Sequence, residues 1–204
     1  MTEIIDNVIQ LAATGICMII ALRKGLLLQN RAWTILALAS GVFFLGDLYW
    51  DLYLVLCGKT PDHSYIPYLS WYASYMFLLL LLFELKGERK ERKHSKFFLL
   101  IPVFTAGMCV FYMQYGDWIG NIITAVFMSL LIWHALDILL SQKDTPKAPF
   151  SAAVLLFCGA EYAAWTASCF GTYDTWAHPY FWFDTLLSAV FLMFPAALGK
   201  AVDG

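Results

Sequence analysis

The chain has 204 residues, of which 61% are apolar, 17% aromatic and only 14% charged, with a formal net charge of −2. Soluble domains average about 45–50% apolar residues, so this content and a mean hydropathy of +0.67 exclude a water-soluble globular domain and define an integral membrane protein. Nothing in the charge pattern points to nucleic-acid binding, and no cofactor motif is present.

Seven stretches are long and apolar enough to cross a bilayer as helix, and the expected fold is all-α: one polytopic domain, residues 1–204, with seven transmembrane helices. The first, 4–22, has acidic residues before it and Arg23-Lys24 after it, the reverse of a signal peptide, and is read as a retained helix. The second, 32–56, carries Asp47 and Asp51 among aromatic residues. A short polar loop with Gly58, Pro61 and His63 leads to the third, 65–85, which opens on Tyr68, Trp71, Tyr72 and Tyr75. The basic run 86–96 precedes the fourth, 97–115. Asp117, Trp118 and Asn121 stand at the start of the fifth, 118–140, and His134 and Asp137 lie near its end. Glu161 and Trp165 belong to the sixth, 150–169. A loop with His178 leads to the seventh, 179–199, with Tyr180, Asp184 and Ser188.

Odd spans put the termini on opposite sides. Twelve of the thirteen basic residues fall on one side and only Lys59 on the other, which places the N-terminus outside and the C-terminus in the cytoplasm. The basic run serves as a topology anchor and could also attract anionic lipid or a cytoplasmic partner. The expected location is a bacterial cytoplasmic membrane. Cys57 and Cys169 fall at outer helix ends, where oxidation is chemically open. The other three cysteines read as small apolar packing residues.

An internal echo links helices two and three to helices six and seven. The run 40–47 corresponds to 153–161, an aromatic helix end and a short polar loop follow each, and the next helices open on aromatic clusters. Four spans separate the copies, so the repeat would be parallel and would put Asp47 and Glu161 in related positions.

An ionised side chain in hydrocarbon costs at least a few kcal/mol, so Asp47, Asp51, Glu161 and Asp184 mark the functional region. At 1.5 Å per residue Asp47 lies about 22 Å along helix two and Glu161 about 17 Å along helix six, both in the outer half or near the midplane. Asp47 and Asp51, Glu161 and Trp165, and Tyr180, Asp184 and Ser188 are spaced i, i+4 and share helix faces. These stripes are expected to converge on an outward-opening pocket between helices two, three, six and seven, with the start of helix five as far wall. The candidate ligand-binding residues are Asp47, Trp50, Asp51, Tyr68, Trp71, Tyr72, Tyr75, Asn121, Glu161, Trp165, Tyr180 and Asp184. Aromatic faces beside carboxylates suit a small cationic or amphiphilic ligand. No Lys or Arg lies within the outer half of any helix. The carboxylates therefore need Tyr, Trp, Ser or Asn donors, a bound cation or a proton. His63 and His178 could join them around a metal, but no ligand spacing supports one. His134 and Asp137, three residues apart, could share a proton or a ligand deeper in the membrane.

No lysine in helix seven could form a retinal Schiff base, and no serine-hydrolase, zinc-protease or P-loop motif occurs. Arg31-Ala-Trp33, Leu45-Gly-Asp-Leu-Tyr-Trp-Asp51, the Gly58 and Pro61 turn and Tyr68-Leu-Ser-Trp-Tyr-Ala-Ser-Tyr75 resemble the multi-helix sensor modules found ahead of bacterial diguanylate cyclase (GGDEF) domains. That resemblance implies a seven-helix module sensing an external or membrane signal, with Asp47 in the family's Gly-Asp element. The 204 residues contain no cyclase domain, so output is expected to pass through the helices to a cytoplasmic signalling partner or a second copy of the chain. The Gly46-Asp47 helix and the repeated layout also resemble lysoplasmalogenase-type membrane hydrolases. That likeness implies the alternative of a lipid hydrolase in which Asp47 and Glu161 are catalytic, one as general base and one as acid. Those enzymes have eight spans and a second aspartate where this chain has Glu161. A small-molecule transporter is a third reading, carried by the repeat and by midplane Glu161.

Overall fold

The computed structural model describes residues 2–61, 65–86, 96–171 and 175–203. Seven α-helices follow one another: α1 (Thr2–Leu28), α2 (Arg31–Cys57), α3 (Tyr65–Lys86), α4 (Leu100–Tyr112), α5 (Trp118–Ser141), α6 (Ala148–Ser168) and α7 (Pro179–Asp203). Each coincides with one expected stretch, and the described residues contain no strand. All but α4 are long and apolar enough to cross a bilayer. The chain is thus a multi-pass helical membrane protein.

Two helices depart from expectation. The apolar run of the first stops at Leu22, but α1 continues to Leu28 and carries Arg23 and Lys24 inside it. Lys24 folds back so that its Nζ lies 4.4 Å from the ring centroid of Trp33, combining a snorkelling stem with a cation–π contact. Gly25 makes this close approach to α2 feasible, since a Cβ there would meet Thr34 Oγ1 at 3.0 Å. The turn into α2 is equally tight. Gln29 takes a left-handed φ of 48°, and the Asn30 side chain caps α2 by accepting from Ala32 N at 2.9 Å.

The fourth stretch, expected as a helix over 97–115, is one 3-10 turn (Lys96–Leu99) followed by only 13 residues of α-helix. Alone α4 is about 20 Å long, short of the roughly 30 Å hydrocarbon core; the preceding turn adds about 8 Å. It ends at Tyr112 because the backbone tightens there, with Tyr115 N bonded to Tyr112 O at 2.9 Å.

In space α1, α2, α3, α5, α6 and α7 pack as successive neighbours, and α7 returns to α1, closing a ring of six. Helix α4 lies outside it against α5. The Tyr112 hydroxyl ties α4 to α6, sharing a hydrogen bond with Thr166 Oγ1 at 2.8 Å and donating to Tyr162 O at 3.1 Å.

The centre of the ring is filled by aromatic rings. Phe43, Tyr75, Phe157, Phe191 and Phe194 are all buried, with Phe43 and Phe191 centroids 4.8 Å apart, Phe157 and Phe191 5.7 Å, and Tyr75 and Phe157 5.8 Å. Each such pair contributes about 0.5–1.5 kcal/mol beyond its burial. This plug separates two polar regions at opposite ends of the bundle. At one end, where α3 stops, Lys86 Nζ lies 2.9 Å from Asp137 Oδ2, and Lys147 Nζ donates to Leu85 O. Asp137 thus pairs with Lys86, and the neighbouring His134 ring meets Phe83 edge-on at 4.5 Å. The other end holds the carboxylates.

Candidate functional site

Asp47, Glu161 and Asp184 stand one to two helical turns from the plug, on the side of the α2–α3 and α6–α7 connections. They are only 5%, 5% and 3% exposed. Between them lies a cavity of about 250 Å³ bounded by α1, α2, α3, α6 and α7. Phe43 and Leu187 form its floor against the plug. Trp50, Tyr68, Trp71, Trp165 and Tyr180 form its aromatic walls, and Glu161 and Asp184 face into it with Gln10 and Ser168. Tyr68 and Trp71 centroids are 5.6 Å apart, Tyr68 and Trp165 6.2 Å, and Trp50 and Trp71 6.3 Å, so the rings make a continuous wall.

The approach of α2 to α3 fixes one carboxylate. Gly46 packs so closely on α3 that a Cβ would lie 2.9 Å from Ser70 Cβ and 3.2 Å from Trp71 Nε1. That contact lets the Trp71 indole donate to Asp47 Oδ1 at 3.1 Å. Asp47 thus stands behind Trp71, outside the cavity wall, and holds the indole in place. Tyr75 hydrogen-bonds the Glu161 carboxylate, and the Trp165 indole lies beside it. One oxygen of each group, Asp47 Oδ2, Glu161 Oε1 and Asp184 Oδ2, has no hydrogen-bond partner among the described residues, and neither has Ser188 Oγ one turn from Asp184. Buried acceptors without donors cost about 1–3 kcal/mol each, and more when charged. Two of these oxygens, Glu161 Oε1 and Asp184 Oδ2, belong to side chains that line one cavity, which suits a ligand that donates to them.

Seven of the twelve sequence-derived ligand residues line this cavity: Trp50, Tyr68, Trp71, Glu161, Trp165, Tyr180 and Asp184. Tyr75 lies beneath it, buried against Phe157 and bonded to Glu161. Asp51 is half-buried on α2, close enough for its charge to act on Asp47 and Asp184 but outside the wall. Tyr72 and Asn121 line a second cavity of about 290 Å³ between α3, α4, α5 and α6, which shares Tyr68, Trp165 and Ser168 with the first. Helix five therefore bounds the neighbouring space and not the far wall of the carboxylate pocket. Asp117 caps α5, accepting from Ile119 N at 3.1 Å and Gly120 N at 3.0 Å, and Trp118 is exposed.

The contribution of α1 was not anticipated. Gln10 lines the cavity, and Asp6, one turn away and 2% exposed, lies close enough to act electrostatically on Asp184. A signal was available: Asp6, Gln10 and Thr14 recur every four residues, and the small residues Ala13, Cys17 and Ala21 continue the same buried face.

His63 lies outside the described residues, and His178 turns its ring to Phe170 O and Tyr180 N. Among the described residues no three His, Cys, Asp or Glu side chains converge as a metal site would require. Cys57 and Cys169 are both free thiols. No family model, curated protein or solved structure matches this chain.

Proposed function

We propose that this protein is a membrane-embedded sensor or ligand-binding module whose aromatic and acidic pocket takes a small cationic or amphiphilic ligand. The observation that carries this reading is that Glu161 and Asp184 both line a cavity walled by Trp and Tyr, each with a buried oxygen that lacks a donor. A cation satisfies such oxygens, and indole and phenol faces favour it further. The basic residues at the opposite end orient the pocket outward, with the N-terminus outside, in a bacterial cytoplasmic membrane. Output runs through the helices to a cytoplasmic partner or a second copy of the chain.

The lipid-hydrolase reading draws on the same carboxylates but asks Asp47 and Glu161 to share a water, and Trp71 stands between Asp47 and the cavity. We therefore favour binding over turnover. The test is thermal stability of purified protein in detergent across amines, lipids and lysolipids. Stabilisation by one of these classes that Glu161→Gln abolishes supports the pocket. Release of product from a lysolipid or vinyl-ether lipid, lost in Asp47→Asn and Glu161→Gln, replaces binding with hydrolysis, and uptake into proteoliposomes replaces it with transport.

A further inference from the structure

The chemistry of the unpartnered oxygens narrows the ligand class, granted that the cavity binds a ligand as proposed above. Glu161 Oε1 and Asp184 Oδ2 belong to side chains 95% or more buried, on adjacent helices, and both side chains face the same cavity. A buried carboxylate oxygen is satisfied by an N–H or O–H donor and not by positive charge alone. A quaternary ammonium has the charge but no donor. A protonated primary or secondary amine brings both, with two or three donors on each cationic centre.

Charge balance adds a second constraint. Two carboxylates face the cavity and a third, Asp47, has a bare oxygen behind Trp71, while no Lys or Arg occurs in residues 1–22, 32–58, 60–85 or 148–199, which supply every wall. A monovalent amine donates to one of the two cavity-facing carboxylates, whereas a second ammonium on the same molecule serves the other. A chelated metal ion is not the occupant this geometry suits, since no three ligating groups converge among the described residues. Trp50, Trp71 and Trp165 line the same cavity, and such aromatic walls suit an alkyl chain carrying ammonium ends.

We infer that the ligand is a linear diamine or polyamine, its ammonium groups donating to Glu161 and Asp184 and its methylene chain lying on the tryptophan wall. The experiment compares four probes on the full-length protein in detergent by calorimetric titration: cadaverine, n-pentylamine, the bis-quaternary (trimethylammonium) analogue of cadaverine, and a lysolipid. Cadaverine should bind at least about tenfold more tightly than either of the other two cations, the effect of losing one charge-assisted hydrogen bond. Glu161→Gln and Asp184→Asn should each bring cadaverine to within about threefold of pentylamine. The wild-type series decides the matter even if a variant does not fold. Equal affinity for cadaverine and pentylamine, or for cadaverine and its bis-quaternary analogue, overturns the diamine assignment and leaves a general cation site. Binding of the lysolipid with no amine response overturns it in favour of an amphiphile. Silence from all four overturns both this inference and the binding function beneath it.

Discussion

Replacing Gly46 by alanine probes the contact that sets the site. The new Cβ would stand 2.9 Å from Ser70 Cβ, 3.2 Å from Trp71 Nε1 and 3.4 Å from Pro67 O, where ordinary contact begins at 3.4 Å. Ser70 Cβ and Pro67 O move only with the α3 backbone, so α3 must retreat by 3.4 − 2.9 = 0.5 Å. Overpacking of this kind costs about 1–3 kcal/mol, while alanine in a helix recovers up to about 1 kcal/mol of propensity. Gly159→Ala on α6 isolates the second effect, because nothing lies within 4 Å of a Cβ there. Gly46→Ala should therefore be less stable than Gly159→Ala by about 1–3 kcal/mol, measured by reversible unfolding in mixed micelles. The retreat also pulls Trp71 from Asp47, so ligand affinity should fall in Gly46→Ala and hold in Gly159→Ala. Equal stability of the two variants would refute the claim that α2 and α3 touch through Gly46.

Trp71→Phe keeps an aromatic wall but removes the donor to Asp47 Oδ1. It should cost about 1.5–3 kcal/mol, and a double-mutant cycle with Asp47→Asn should return a coupling of that order; additive single effects would contradict the bond. At the opposite end, Asp137 is buried beside Lys86. Lys86→Met alone should cost about 3 kcal/mol by removing the cation of a buried ion pair, and adding Asp137→Leu should recover most of it in the same unfolding assay, because an apolar pair replaces an ionic one at little net cost. Cys57 is exposed at the end of α2. An impermeant maleimide should label it on intact cells and miss a cysteine placed at Lys143, and the reverse pattern would turn the pocket toward the cytoplasm.

The helices were legible because uninterrupted apolar runs leave the backbone no partner in lipid except itself. Their ends were less so. Arg23 and Lys24 close the first run by hydropathy, but the long stem of Lys24 reaches the Trp33 face and the helix continues two turns beneath it. The fourth run was overestimated because Met113 and Tyr115 are as apolar as a helix interior. The backbone bonds from Gln114 N to Phe111 O and from Tyr115 N to Tyr112 O show the turn. Helix order in the ring was not legible at all. That α5 sits beside α3, with α4 displaced outward, follows from side-chain packing of residues far apart in sequence.

Which carboxylates meet depends on how each helix is turned about its own axis. Helical phase alone put Asp47 and Asp51 on one face and Tyr68 and Tyr72 near another, but phase does not say where a face points. The Gly46 contact rotates Asp47 behind Trp71 and leaves Phe43 and Trp50, seven residues apart, as the α2 side of the cavity. On α1 the ambiguity ran the other way. An acidic residue in the first turn of an apolar run is usually an interfacial flank, so Asp6 gains weight only where Gln10 and Thr14 extend it into a stripe that α2 and α7 enclose. A polar residue near a helix end is thus informative when it starts a four-residue period with small residues behind it, because only a face turned toward other helices needs both.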